Sequence, residues 1–211
     1  MSSIAVLDLG TGNLHSVAKA VEFVAPDRDV VITHDPAQIL AAERVVLPGQ
    51  GAIGTWMNQV QQRDLLGVIE QVIESKPLLG ICVGMQALFE RSEEDGGIDS
   101  LGLILGKVHR FADNVVENSH VLTIPQMGWN QVWQGSDHPL WQDIDDGARF
   151  YFANSYYGLC QDKTQQAGTC HYGIEFTAAV AHSNVFAVQF HPEKSQQAGL
   201  QLFKNFINWH P

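Results

Sequence analysis

The stretch Pro77-Leu-Leu-Gly-Ile-Cys82-Val-Gly84-Met-Gln86 limits the fold more than any other part of the chain. Its apolar half is uninterrupted, as expected of a central strand buried on both faces of a parallel sheet. Gly80-Ile-Cys82-Val-Gly84 then has the form Gly-x-nucleophile-x-Gly, a sharp strand-to-helix turn that lifts its central side chain above the sheet edge. Glycines flank such a turn because a β-carbon there would collide with neighbouring backbone. The turn sets Cys82 at a helix N-terminus, which favours a thiolate. It also leaves the Val83 N–H without a helical partner and able to meet an oxyanion. The helix is expected to run from Val83 to Arg91 with Met85, Leu88 and Phe89 facing inward. From the motif alone, a buried cysteine between incidental glycines is the competing reading; the strand before it and the helix after it favour the catalytic one.

Around this segment the first half alternates two periodicities. Ser3 to Leu9, Asp29 to Thr33 and Arg44 to Leu47 read as short strands. Asn13 to Ala25 and Asp64 to Ser75 carry apolar residues at helical spacing. Strands alternating with helices imply βαβ units and a mainly parallel sheet. The second half is richer in strands, at Leu103 to His109, Arg149 to Tyr157, Gly168 to Tyr172, Phe176 to Ala181 and Val185 to Phe190. Turn residues separate them, which suits antiparallel additions. Gln197 to Trp209 closes the chain as a helix. No repeat or linker interrupts the 211 residues. The expected fold is one α/β domain over residues 1–211: a mainly parallel open sheet flanked by helices, with antiparallel strands added in the second half.

Charge narrows the function classes. A formal net charge of −11 argues against nucleic-acid binding, which needs clustered Lys and Arg. No apolar run is long enough to span a bilayer, and the N-terminus lacks the basic region of a signal peptide. No membrane or nucleic-acid partner is therefore expected. Three cysteines, Cys82, Cys160 and Cys170, do not make a disulfide framework. They fit a reduced, cytoplasmic setting, with Cys160 and Cys170 as buried structural thiols. None forms a Cys-x-x-Cys pair, so a zinc site has little support; no metal site and no cofactor are expected.

Gln189-Phe-His191-Pro-Glu193-Lys follows an apolar strand. Pro192 holds His191 extended, and residues two apart in an extended chain share a side. Glu193 can then accept from one imidazole nitrogen while the other faces a thiol, the base and orienter that a cysteine nucleophile needs. Of nine histidines, His109, His120, His138, His171, His182 and His210 have no such setting and are read as solvated or structural. Pro48-Gly49-Gln50-Gly51 begins where a strand ends, the place where open α/β sheets bind ligands. It is a candidate second half of an oxyanion hole, with an ordinary turn as the other reading. It lacks the Gly-Lys-Ser/Thr ending of a phosphate loop. Gly10-Thr-Gly12-Asn-Leu-His15 likewise lacks the third glycine of a dinucleotide fingerprint.

Leu-Pro48-Gly-Gln-Gly, Gly-Ile-Cys82-Val-Gly-Met-Gln and Gln-Phe-His191-Pro-Glu-Lys-Ser occur in that order, and together they resemble the class I (triad) glutamine amidotransferases. Leu7-Asp-Leu-Gly-Thr-Gly-Asn13-Leu, Arg91-Ser-Glu-Glu94, Pro125-Gln-Met-Gly-Trp129-Asn130 and Phe176-Thr-Ala-Ala-Val180 narrow the likeness to the glutaminase subunits of imidazole glycerol phosphate synthase, from histidine biosynthesis. The resemblance implies that Cys82 attacks the glutamine side-chain amide, that His191 moves the proton and that Glu193 orients it. It implies that Gly49, Gln50, Gly51 and Val83 line the oxyanion site, and that Gln86 and Glu94 hold the substrate. For Glu94 a solvated acidic turn is the other reading. It further implies a separate (βα)8-barrel cyclase as partner, met through Asn13, Met127, Trp129 and Lys194; for Trp129 plain core packing is the alternative. No cyclase is fused within the 211 residues, so a heterodimer is expected. Two positions depart from the family's usual residues: Asn154, where histidine is common, and Gln50, where valine is common.

Overall fold

The computed structural model describes residues 3–10, 13–117 and 119–211. Thr11 and Gly12 of the Leu7–Leu14 segment lie outside them. Four parallel pairings build the heart of the sheet. Strand β1 (Ser3–Leu7) lies between β2 (Asp29–Thr33) and β3 (Arg44–Gly49), and β4 (Leu78–Cys82) follows β3. On the far side of β4 lies a strand from the end of the chain, Val185–Val188, also parallel. β3, β4 and this last strand are buried at every position. That accounts for their unbroken apolar character, since helices cover both faces.

Helices α1 (Leu14–Val24), α2 (Pro36–Ala41), α3 (Ile53–Gln62) and α4 (Leu66–Ser75) make the crossovers. Right-handed connections put α1 on one face and α2 to α4 on the other, because the chain reverses direction across the sheet after β2. Accordingly α2 packs on α4. α2 and α3 lay outside the periodic segments recognised in the sequence. Asp35 caps α2 by accepting from the Ala37 N–H at 2.9 Å. α3 buries Ile53, Trp56, Met57 and Val60, a helical stripe diluted by glutamines.

The helix expected over Val83 to Arg91 is instead a single turn, α5 (Val83–Gln86). Met85, Leu88 and Phe89 are fully buried as expected, but Phe89–Ser92 is a strand, β5. It pairs in parallel with β6 (Ile104–Arg110), so cross-strand pairing overrides the local helical spacing. The expected strand Arg149 to Tyr157 is divided at Ser155. After β7 (Gln126–Gln131), β8 (Arg149–Asn154) pairs with β7 in a separate two-stranded ribbon, whereas β9 (Tyr156–Cys160) pairs with β6 in the main sheet. β10 (Gln166–His171) and β11 (Glu175–His182) form a hairpin, and β11 runs antiparallel to β12 (Val185–Val188). Helix α6 (Gln196–Asn208) ends the fold against α1. The observed architecture is the expected one, a largely parallel sheet extended by antiparallel strands.

Candidate functional site

Strands β3, β4 and β12 end side by side at one edge of the sheet, and the chain turns into Gly49–Gly51, Cys82–Val83 and His191 there. At Cys82 the backbone is strained, with φ 54° and ψ −109°, a region that non-glycine residues avoid. Close packing enforces it. A β-carbon on Gly84 would lie 1.9 Å from the Leu47 carbonyl oxygen, and one on Gly80 would lie 2.8 Å from the Ala187 β-carbon. The crowding inferred for both glycines is therefore real. α5 is too short for an appreciable macrodipole, so that part of the expected thiolate stabilisation is weaker than a full helix would give. The Val83 N–H still opens its first turn.

His191 meets the sulfur from β12. Its Nδ1 lies 2.8 Å from Glu193 Oε1, with the two side chains 2% and 1% exposed. Glu193 reaches it through a 3-10 turn, Pro192–Lys194, rather than through the strand alternation inferred from sequence. The His191 N–H donates to Tyr151 O at 2.8 Å. Ser195 Oγ donates to His191 O and accepts from the Tyr151 N–H, at 2.6 and 2.9 Å. The imidazole thus sits on backbone anchored from both sides. Burial acts to lower the His191 pKa, but hydrogen bonding to Cys82 and Glu193 and the charges of both overturn this and raise it to about 10. At neutral pH the ring is an imidazolium facing the sulfur. His138 shows the opposite case: packed against Phe186 and Trp209, its pKa is lowered to about 4 by burial.

A cavity of about 460 Å³ opens over this edge, lined among others by Gln50, Cys82, Gln86, Glu94, Met127 and His191. Gly51, Val83, Asn154 and Lys194 also border it. Glu94 is half-buried, and its Oε2 accepts from the Ile53 N–H at the start of α3, at 2.9 Å. Desolvation raises its pKa, with Asp95 adding to the rise and the Ile53 bond opposing it. This is a fixed carboxylate at a cavity wall, not a solvated turn. Gln86 is buried, and its Nε2 donates to Tyr156 O and to Gln189 Oε1. Asn154 Nδ2 donates to the same Tyr156 carbonyl. Met127 is 69% exposed and Trp129 41% exposed on the outer face of β7, so Trp129 is not core. Lys194 Nζ lies 5.7 Å from the Tyr151 ring centroid. Asn13 and Gly49 line a second, much smaller cavity together with Gln50, His191 and Glu193.

Of the residues inferred from the sequence, Gln50, Gly51, Cys82, Val83, Gln86, Glu94, Met127, His191 and Lys194 border the larger of these two cavities, Asn13, Gly49 and Glu193 border the smaller, and Trp129 lies on β7 against Tyr151. Sequence reasoning missed Ser195, Tyr151 and Gln189. Gln189 had a usable signal, since it lies two residues before His191; Tyr151 depends on tertiary pairing, and Ser195 joins it there while also bonding locally to the His191 carbonyl. A larger surface cavity, about 840 Å³, lies at the opposite ends of the strands, beside Arg44, Pro77 and Asn184. Among the described residues no group of His, Cys, Asp or Glu could hold a metal ion, and no helix is long and apolar enough to cross a membrane.

A cysteine sulfur in contact with an imidazole that a buried carboxylate holds, at the first turn of α5 and beside the end of β3, supplies the parts of a cysteine acyl-transfer centre. The family profile described as Glutamine amidotransferase class-I matches residues 5–209. The chain is 51% identical over 213 residues to the imidazole glycerol phosphate synthase subunit HisH of Aromatoleum aromaticum, covering 100% of both chains. It is 51% identical over 209 residues to the HisH subunit of Pseudomonas savastanoi pv. phaseolicola, covering 99% and 98%. A crystal structure of a glutamine amidotransferase superposes with a TM-score of 0.69 at 16% identity, over 97% of each chain, which speaks to the fold alone. The chain belongs to the class I glutamine amidotransferase family, within the group of HisH subunits.

Proposed function

We propose that this chain is the glutaminase subunit of an imidazole glycerol phosphate synthase, hydrolysing L-glutamine and passing ammonia to a cyclase subunit in histidine biosynthesis. Residues 1–211 form one amidotransferase domain, working in the cytoplasm as half of a heterodimer. The observation that carries the reading is the contact of Cys82 with a His191 that Glu193 holds from behind.

The Cys82 thiolate attacks the glutamine carboxamide carbon, and the carbonyl oxygen becomes an oxyanion facing the Val83 N–H and the Gly49-Gln50-Gly51 backbone. The imidazolium of His191 gives its proton to the nitrogen, the carbon–nitrogen bond breaks and ammonia leaves. A glutamyl thioester remains on Cys82. His191, now neutral, takes a proton from water as that water attacks the thioester, and glutamate departs with the thiolate restored. Glu193 keeps the ring oriented throughout. Gln86 and Glu94 hold the substrate, Glu94 as the partner of its ammonium group. Met127 and Trp129, exposed beside the cavity mouth, anchor the cyclase together with Asn13 and Lys194.

The test is glutamate release from glutamine with and without the cyclase subunit. Release is expected to be weak for the isolated chain and strong in the complex. Cys82→Ala abolishes it while synthesis from added ammonium salts persists in the complex. Glutamine-dependent synthesis by Cys82→Ala would refute the assignment.

A further inference from the structure

Gln189 is completely buried, and the mechanism above leaves it without a task. Its Nε2 lies 3.6 Å from Cys82 Sγ, within hydrogen-bond range for sulfur. The sense of that contact follows from a backbone group. Tyr156 O can only accept, so the Gln86 atom 3.1 Å from it is the amide nitrogen. The second proton on that nitrogen requires another acceptor, which makes the Gln189 atom 2.9 Å away its oxygen. The remaining end of Gln189, the one facing the sulfur, is then an N–H donor. Its main chain is fixed as well, through the Gln189 N–H donating to Ala178 O at 2.9 Å. A buried amide held at one end and aimed at a sulfur at the other cannot relax away from it.

Resting on the glutaminase reading above, we propose that Gln189 is a further catalytic residue: its side-chain N–H holds the Cys82 sulfur opposite His191 and stabilises the negative charge on it. His191 faces the sulfur as an acid and must later release its proton to the leaving nitrogen. Gln189 faces the same sulfur as a permanent, uncharged donor with no proton to lose. It therefore supports the sulfur wherever negative charge rests on it: in the thiolate before attack, and again when glutamate departs and His191 has given up its first proton. It also opposes rotation of the sulfur out of the cavity. The run Gln-Phe-His then supplies two donors to one atom, through the bend at Gln189 and Phe190 that follows β12.

The bond is tested by the alkylation rate of Cys82 with iodoacetamide, followed on the Cys82 peptide without glutamine, in the complex with the cyclase subunit. Gln189→Met removes the donor at similar volume and is expected to slow alkylation at neutral pH by about tenfold, in line with a hydrogen bond to a charged group. The kcat for glutamine hydrolysis falls by about as much, while KM changes less than about threefold. Gln189→Glu keeps the shape and still accepts from Gln86 but turns an acceptor toward the sulfur. Its deficit is expected to be larger at neutral pH and to narrow as the pH falls and a protonated carboxyl restores a donor. Alkylation within about threefold of wild type in either variant, or a Gln189→Glu deficit of the same size at every pH, overturns the proposal. If Gln189→Met does not fold, Gln189→Glu decides. Failure of the wild-type complex to release glutamate overturns the glutaminase reading instead, and the alkylation rates then judge the Gln189 bond by itself.

Discussion

Gly84→Ala is the smallest change that separates the two halves of the oxyanion site. The new β-carbon would sit 1.9 Å from the Leu47 carbonyl oxygen and 3.0 Å from its carbon. Neither side can yield cheaply: Leu47 is inside a fully buried strand paired with β4, and Gly84 is in the turn that carries the nucleophile. Relief needs about 1 Å of movement between two backbone segments, at the upper end of overpacking costs, about 3 kcal/mol. For a chain of this length that lowers Tm by roughly 6–12 °C. The same wedge parts Leu47–Gly49 from Val83, so a misplacement of about 1 Å should lower kcat/KM about 100-fold. Gly67→Ala is the control. A β-carbon there meets nothing within 4 Å, and the residue lies in α4 at ordinary φ; it should raise stability by about 0.5 kcal/mol. Calorimetry and glutamate release measured on both variants decide. A Gly84→Ala protein that melts with the wild type and keeps its activity would refute the packing account of the turn.

Two further outcomes follow from the His191 setting. Because its pKa is raised to about 10 in the folded chain, the stability it contributes is complete below the unfolded value near 6.5 and is lost as pH rises through about 10. Urea unfolding should show wild type losing more stability over that window than His191→Gln, and equal losses would contradict the ion-pair setting. Glu193→Gln keeps an acceptor at the ring but removes the charge 2.8 Å away. Its kcat for glutamine should fall on the order of 100-fold with synthesis from ammonium unaffected in the complex, and a kcat within about threefold of wild type would dismiss Glu193 as orienter.

Much of this molecule could be read before its coordinates. β2 spans the residues expected of it, a half-exposed edge strand marked by Val30, Val31 and Ile32, and β4 is shifted by a single residue, because its unbroken apolar segment has few places to go except a covered sheet. Cys82, His191 and Glu193 were visible because their spacing relative to strand ends is itself the mechanism. What failed was local. The helix after Cys82 stops at Gln86 because Phe89–Ser92 is claimed by β6, a pairing that no window of neighbouring residues reveals. Arg149 to Tyr157 looks like one strand and is two, since Asn154 and Tyr156 answer to different partners. α3 was hidden by glutamines on its solvent face. Tyr151 escaped for the same reason as β5, since it serves the site through backbone groups brought from elsewhere, and Ser195 escaped because its hydroxyl joins the His191 carbonyl to that same distant backbone.

The central claim is that Cys82 alone among the three cysteines is an activated nucleophile inside a glutamine site. Cys160 and Cys170 are buried, with burial raising both pKa values, that of Cys170 to about 12. A chloroketone analogue of glutamine, applied to the complex and followed by peptide mass spectrometry, measures this directly. The expected result is a single adduct on the peptide carrying Cys82, suppressed by excess glutamine. Labelling of Cys160 or Cys170 at a comparable rate, or labelling of Cys82 that glutamine does not protect, would contradict the account.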